Sequence, residues 1–390
     1  MTEQARREYA EVMRRRYAAA RTKQDRGRLL DEYCRVTGGH RKAAIRRLRA
    51  APEAAARRPG RAPQYGRELL PLLERVWLAS DQLSGKLLRP ILPTFLRALR
   101  QHHGVPIPPA VEAALTAASP ATLDRLLRPL RRRRGRPPRR ASPAVPRIRA
   151  QVPLRTWSEW VGVAPGALQG DLVLHCGESL AGHYCATLVA VDVATTWTEL
   201  QAVWDLHQQR VTGAVQLLVQ RLPFALREWH SDNGSEFVNA CLLGWCQRHA
   251  IRFTRGRPYR KNDQAWVEQR NGLLVRRLVG YDRYSSRAAL AALHRVYGLL
   301  RLQHNFFRPV RKLLSKHREG SRVVKRYDSA QTPYQRVLAA GILPSAQRQT
   351  WEAQFRALDP IALARDLQQA LDVLWALADT QPARQEAVHG

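Results

Sequence analysis

Apolar positions recur at helical spacing through the first third of the chain and at strand spacing after it, so the two parts predict different architectures. Residues 1–104 read as helical. Within them residues 22–36 form an amphipathic helix with Leu29, Leu30, Tyr33 and Cys34 inward, and Thr37, Gly38 and Gly39 break it. Residues 40–50 begin a second helix in which Arg41, Lys42, Arg46, Arg47 and Arg49 surround the apolar Ala44, Ile45 and Leu48. Helix, glycine turn and basic helix give the outline of a helix-turn-helix, whose second helix enters the DNA major groove. A plain helical bundle with solvated arginines carries the same pattern. It recurs further on: residues 109–117 are apolar-periodic, Ala118, Ser119 and Pro120 make a turn, and residues 121–131 form a basic helix with Ser119 as its N-cap.

Residues 131–150 are a tract of arginine and proline. Proline removes helix and sheet, and like charges keep such a segment extended, which predicts a linker able to grip phosphate. After it the period changes from helical to alternating. Residues 171–175, 184–192 and 197–204 are short runs rich in Val, Leu, Thr and aromatics, and they predict three strands joined by hairpins. Val211, Val215, Leu218 and Leu222 then fall at helical spacing. Residues 225–230 predict a fourth strand, 236–250 a helix, 251–254 a fifth strand and 263–279 a helix, which together make a mixed five-stranded sheet with flanking helices. From about residue 290 the chain is basic and mainly helical again. Leu363, Leu367, Leu371, Leu374 and Trp375 mark a terminal amphipathic helix whose stripe suits either a core or an oligomer seam. The expected organisation is a helical DNA-binding region (1–104), a second helix-turn-helix-like segment with the linker (105–150), a catalytic core (151–290) and a basic C-terminal region (291–390).

Composition narrows the class. The 390 residues include 65 Lys and Arg against 32 Asp and Glu, a net charge of +33. A folded chain this basic repels itself, so a polyanionic partner is the simplest account of the excess. No apolar run approaches the roughly 18 residues of a membrane span, and the first twenty residues are polar and arginine-rich, unlike a signal peptide. The five cysteines are odd in number and scattered, as expected of reduced thiols in a cytoplasm. Cys241, Cys246 and His249 lie close in sequence but lack a fourth ligand at zinc spacing, and their segment reads as an amphipathic helix.

Three acidic residues stand where the predicted fold would gather them. Asp171 opens the first strand, Asp232 follows the fourth, and Glu268 sits on the last helix of the core, with positions 233 to 267, 35 residues, between the latter two. Phosphodiester chemistry calls for such a set. Two Mg²⁺ (or Mn²⁺) ions about 3.5–4 Å apart activate the attacking oxygen and stabilise the leaving one, and hard cations prefer carboxylate oxygens. Read singly, Asp232 before Asn233 and Gly234 suits a turn, and Glu268 suits a solvated helix face.

Residues 165–285 resemble the integrase-type catalytic core of the DDE transposases, a ribonuclease H-like fold. The resemblance rests on Gly170 to Val173, on residues 191–195 and 230–237, on residues 262–268 with Asn271, and on the gap before Glu268. Residues 37–48 and 119–127 upstream, and 305–307, 312–313 and 327–336 downstream, are similar to one bacterial insertion-sequence transposase family. The resemblance implies that Asp171, Asp232 and Glu268 ligate the metals, and that Asn233 and Asn262 orient carboxylates or substrate. Asp192 competes for the first position but is similar to a second-strand aspartate of the family that is no metal ligand. Arg255, Arg257, Arg260 and Lys261, before the glutamate helix, are placed to grip a DNA strand. The implied activity is cleavage at the ends of a mobile element followed by strand transfer. Its expected partners are double-stranded DNA, both element terminal repeats and target, and further copies of the chain. A structure-specific nuclease on the same fold and a silent DNA-binding regulator are the alternatives.

Overall fold

The computed structural model describes residues 3–49, 65–134, 160, 162–232, 234, 236–237, 239–256, 264–319 and 322–379. The chain divides into two compact units, Met1–Gln64 and Tyr65–Gly390.

The first unit is three helices, α1 (Glu3–Ala19), α2 (Lys23–Thr37) and α3 (Arg41–Arg49). The Thr22 hydroxyl caps α2 by accepting the Asp25 amide at 3.1 Å. Gly38 ends it at φ 69°, a left-handed turn that costs glycine nothing. Leu30 and Tyr33 of α2 and Ala44 and Leu48 of α3 bury against Ala10, Met13 and Tyr17 of α1. Both amphipathic stripes therefore close on a preceding helix, and the basic side of α3 is left to water. Lys42, Arg46, Arg47 and Arg49 are exposed, while Arg41 pairs with Asp31.

The second unit begins with α4 (Leu70–Ala79), α5 (Gly85–Leu88), α6 (Leu92–His103), α7 (Pro109–Ala117) and α8 (Pro120–Arg134). Ser119 caps α8, its hydroxyl accepting the Thr122 amide at 3.1 Å. The sheet follows: β1 (Ala167–Leu174), β2 (Ala186–Asp192), β3 (Thr198–Val203), α9 (Gln208–Val219), β4 (Glu228–Ser231), α10 (Ala240–Arg248), β5 (Arg252–Arg255) and α11 (Ala265–Arg270). A π-helical turn (Asn271–Arg276) continues α11. Next come α12 (Arg287–Phe307), the strands β6 (Leu313–Glu319) and β7 (Arg322–Tyr327), and α13 (Pro333–Ala339), α14 (Ser345–Ala357) and α15 (Pro360–Ala376).

The strand order is β3-β2-β1-β4-β5. The first three strands are an antiparallel meander, whereas β4 pairs parallel to β1 and β5 parallel to β4. That change follows from the connections, since short hairpins reverse the chain and the crossovers through α9 and α10 restore its direction. Strand alternation sorts side chains onto two faces. Leu168, Leu188, Ala190 and Trp229 face a core built with α4, α6, α8, α9 and α10. Val173, Val189, Val191 and Leu200 face a second core made by Val267 of α11, Leu274 and Val275 of the π turn, α12 and α15. With both faces covered, β2 is buried throughout.

Three details differ from the sequence reading. Helix α8 runs on to Arg134, into the tract read as a linker, because its arginines continue the helix until the prolines begin, and residues 135–150 of that tract lie outside the described residues. Asp171 is the fifth residue of β1 and does not open it, because Ala167 and Leu168 already pair with Glu228 and Trp229. Residues 313–327, given no element from the sequence, form a hairpin. The terminal stripe is core: Leu363, Leu367, Leu371 and Leu374 are buried, and Trp375 stays 43% exposed. Among the described residues no helix is long and apolar enough to cross a membrane.

Candidate active site

Register and parity gather the acidic residues. In the parallel β1–β4 pair Gln169 stands opposite His230. Two residues further along, the adjacent strands reach Asp171 and Asp232. Both belong to the α11 face, Asp171 sharing it with Val189 across β2. The strands can approach this closely because residue 170 is glycine: a Cβ there would lie 2.2 Å from Cζ2 of Trp229. Beyond β4, the Gly234 amide donates to Asp232 Oδ1 at 2.9 Å, an Asx-type turn that holds the carboxylate.

Helix α11 crosses this end of the sheet with Val267 fully buried, and its amide points to Gln169 Oε1 at 3.4 Å. Glu268, the next residue, is on the exposed side. One turn later Asn271 donates from Nδ2 to Asp171 Oδ2 at 2.6 Å, and the Leu172 amide donates to Oδ1 at 2.8 Å. The helix widens to π geometry from Asn271 onward, a distortion that recurs at functional sites.

The electrostatics of the site follow from burial of carboxyl groups beside like charges. Burial first, with the negative charges of Asp232 and Glu268 acting in the same sense and the Leu172 and Asn271 hydrogen bonds opposing, raises the Asp171 pKa to about 7. Asp232 is exposed at the strand end, yet burial of its carboxyl also lifts its pKa against the Gly234 hydrogen bond. The donors are all hard oxygens, the set that Mg²⁺-type ions take. Among the described residues no three such groups are drawn together tightly enough to hold a metal ion as they stand.

Asp192 is on the other face. Its register partner is Leu168, which belongs to the opposite core. Its carboxylate accepts the Gly166 amide at 2.8 Å, the Thr195 amide at 2.7 Å and the Thr195 hydroxyl at 2.6 Å. It braces two turns and does not meet Asp171.

Arg255 ends β5 opposite Ser231, one residue from Asp232. Arg257, Arg260, Lys261, Asn233 and Asn262 lie outside the described residues. Arg41, Lys42 and Arg46 belong to the first unit, as given above. The Cys246 thiol is buried in the core, which pushes its pKa up to about 12, and it is no ligand. Asn271 carries a role that spacing alone did not assign, and its place three residues after Glu268 was the available signal.

Comparison with known proteins agrees with this topology. Residues 164–261 match the model of the integrase core domain. The five-stranded part of the second unit, residues 164–261, is thus an α/β, ribonuclease H-like integrase core, with helices before and after it. Over 330 residues the chain is 41% identical to the uncharacterized protein y4rM of Sinorhizobium fredii (strain NBRC 101917 / NGR234), covering 84% of this chain and 94% of that protein. The chain belongs to the family of that rhizobial protein. Among solved structures, the catalytic core domain of BIV integrase is 20% identical with a TM-score of 0.30, covering 45% of this chain and 95% of that one. The HTLV-2 integrase catalytic core domain, solved in complex with magnesium in a dimeric form, is 16% identical with a TM-score of 0.29. It covers 38% of this chain and 92% of its own.

Proposed function

We propose that the chain is a DDE-type transposase that cuts DNA at the ends of a mobile element and joins the freed ends to target DNA. The observation that carries this reading is the register that sets Asp171 beside Asp232 while Asn271, one turn past Glu268, bonds to Asp171. Asp171, Asp232 and Glu268 would hold divalent cations, Mg²⁺ or Mn²⁺ and two in number, which would supply activation of the attacking oxygen and stabilisation of the leaving one. A cluster that raises one of its own carboxyl pKa values is the kind a cation stabilises.

The chain's own residues do the remaining work. The Leu172 amide and Asn271 fix both oxygens of Asp171, and the Gly234 amide fixes one oxygen of Asp232, so two carboxylates are oriented before substrate arrives. Arg255 stands one strand from Asp232, where it would meet a DNA phosphate. In the first unit Lys42 and Arg46 of α3 would contact element ends in the major groove, and Arg41, tied to Asp31, would steady that helix. Water attacks first and frees a 3′-hydroxyl, which then attacks the target strand. No covalent enzyme intermediate is required. Two element ends must be held together, so the working form is a homo-multimer on DNA.

The test uses a duplex carrying the element's terminal repeat, Mg²⁺, and either an intact or a pre-cut end. The parent protein is expected to nick the first and transfer the second. Asp232→Asn should lose both activities while still binding the duplex. Cleavage that persists in Asp232→Asn, or in excess chelator, would contradict the assignment.

A further inference from the structure

Strands β6 and β7 form a two-stranded sheet of their own, separate from the five-stranded one. An isolated ribbon is marginal in water, and this one exposes Leu314 (69%), Val323 (44%) and Tyr327 (40%). Residues 313–327 hold five Lys and Arg, at 316, 318, 322, 325 and 326, against the single Glu319. The backbone register sets residue 316 directly across from Lys325. Lys325 and Arg326 are exposed, and among the described residues neither makes an ion pair.

The base of the hairpin is fixed to the catalytic sheet. Lys312 donates from Nζ to the Val193 and Ala194 carbonyls, just past β2, at 2.9 and 2.8 Å. Its amide donates to Asp328 Oδ1 at 2.6 Å, and Arg336 pairs with the other oxygen of Asp328 at 2.7 Å. The Arg311 guanidinium lies 5.1 Å above the Tyr327 ring. A cationic ribbon is thus anchored firmly at one end, with Leu314, Val323, Lys325, Arg326 and Tyr327 exposed.

We propose that the β6–β7 hairpin is an arm that lies in the major groove of duplex DNA and ties that duplex to the catalytic sheet. Alternation puts the adjacent Lys325 and Arg326 on opposite faces, and the groove, about 12 Å wide, admits a two-stranded ribbon between two phosphate rails. A protein partner would call for a surface poor in charge at its centre. A-form RNA offers a major groove too deep and narrow for entry. Leu314 and Val323 would lose water against sugars and thymine methyls. The inference rests on the DNA-processing reading above.

The experiment measures binding of the full chain to a DNA duplex by fluorescence anisotropy from 50 to 200 mM salt, for the parent, Lys325→Ala/Arg326→Ala and Lys325→Arg/Arg326→Lys. Each phosphate contact contributes about 0.9 to the salt slope, so the alanine pair should lower it by about 2 and weaken binding at least about tenfold. The charge-preserving pair should bind like the parent, and melting curves should coincide because both positions are outside the cores. An unchanged slope in the alanine pair, or equal loss on an RNA duplex, overturns the arm. A parent that binds no DNA at any salt overturns the arm together with the reading beneath it, whereas Asp232→Asn separates binding from chemistry.

Discussion

Asn271 donates a 2.6 Å hydrogen bond to Asp171 Oδ2, and it does so from the first residue of a π-helical turn that begins three residues after Glu268. One side chain therefore couples the strand that carries the first acid to the helix that carries the third. Its Oδ1 is buried without a partner, so the amide has a single fixed task. Asn271→Ala should weaken Mg²⁺ activation of cleavage by about 10- to 100-fold, the usual cost of losing a group that orients a ligand. DNA affinity should not change. A magnesium titration of cleavage superimposable on the parent's would refute the coupling.

The acid cluster also sets a pH dependence. With its pKa raised from 3.8 to about 7, Asp171 keeps its proton in the folded metal-free protein where the unfolded chain has lost it. Stability from this group is therefore lost as pH rises from 3.8 through about 7. A bound cation removes that penalty, so Mg²⁺ should raise Tm more at pH 8 than at pH 6, and affinity should fall about tenfold per pH unit below 7. His175 acts in the opposite direction. Its pKa, lowered to about 3 by burial and by Arg276, costs stability as pH falls below 6.5. Melting curves of the parent and Asp171→Asn separate the two, since the variant should lose the alkaline effect and keep the acid one. Identical pH profiles would show that Asp171 does not titrate as described.

Much of this was legible in the sequence because period and spacing report on backbone geometry. The five strands declared themselves by alternation, and Asp232 by its place just past the fourth of them, whereas Asp171 lies within β1. The parts that were not legible depend on partners distant along the chain. Ala167 to Gly170 is weak strand sequence, and it is recruited into β1 because β2 and β4 lie on either side, with Trp229 filling the space over Gly170. Glu199 reads as a solvated residue, yet it is fully buried and clamped by Arg301 at 2.6 and 2.7 Å. The β6–β7 hairpin was hidden because charges interrupt its apolar positions on both faces.

Asp192 gives a direct contrast with Asp171. Both are aspartates in neighbouring strands, but Asp192 accepts three hydrogen bonds on the far face of the sheet. Asp192→Ala leaves those three donors without an acceptor, and it should destabilise the second unit by at least about 3 kcal/mol, given about 1–3 kcal/mol for each group left unsatisfied. The protein that remains folded at low temperature should still respond to Mg²⁺. Denaturant melts combined with cleavage at 15 °C check this. Intact stability with abolished cleavage would return Asp192 to the list of candidate ligands.

Arg270, two residues from Glu268 but on the inward side of α11, makes the least expected prediction. It is 2% exposed, its Nε has no partner, and Nη1 reaches only Gln269 at 3.3 Å. Burial, with the charges of Arg308 and Arg336 acting in the same sense, lowers its pKa to about 10. Arg308 has Asp81 at 2.6 Å and Arg336 has Asp328 at 2.7 Å, but among the described residues Arg270 has no acid. His304, with both ring nitrogens unpartnered, is held neutral beside it by burial and by Arg270 and Arg308. Replacing a buried, uncompensated charge by an apolar side chain of similar length is neutral or stabilising by about 1–4 kcal/mol. Arg270→Met should therefore melt no lower than the parent, and up to a few degrees higher, in buffer free of phosphate and sulfate. A drop of several degrees would mean that the guanidinium has a counter-anion, which phosphate added to the parent should then reveal as a rise in Tm that the variant lacks.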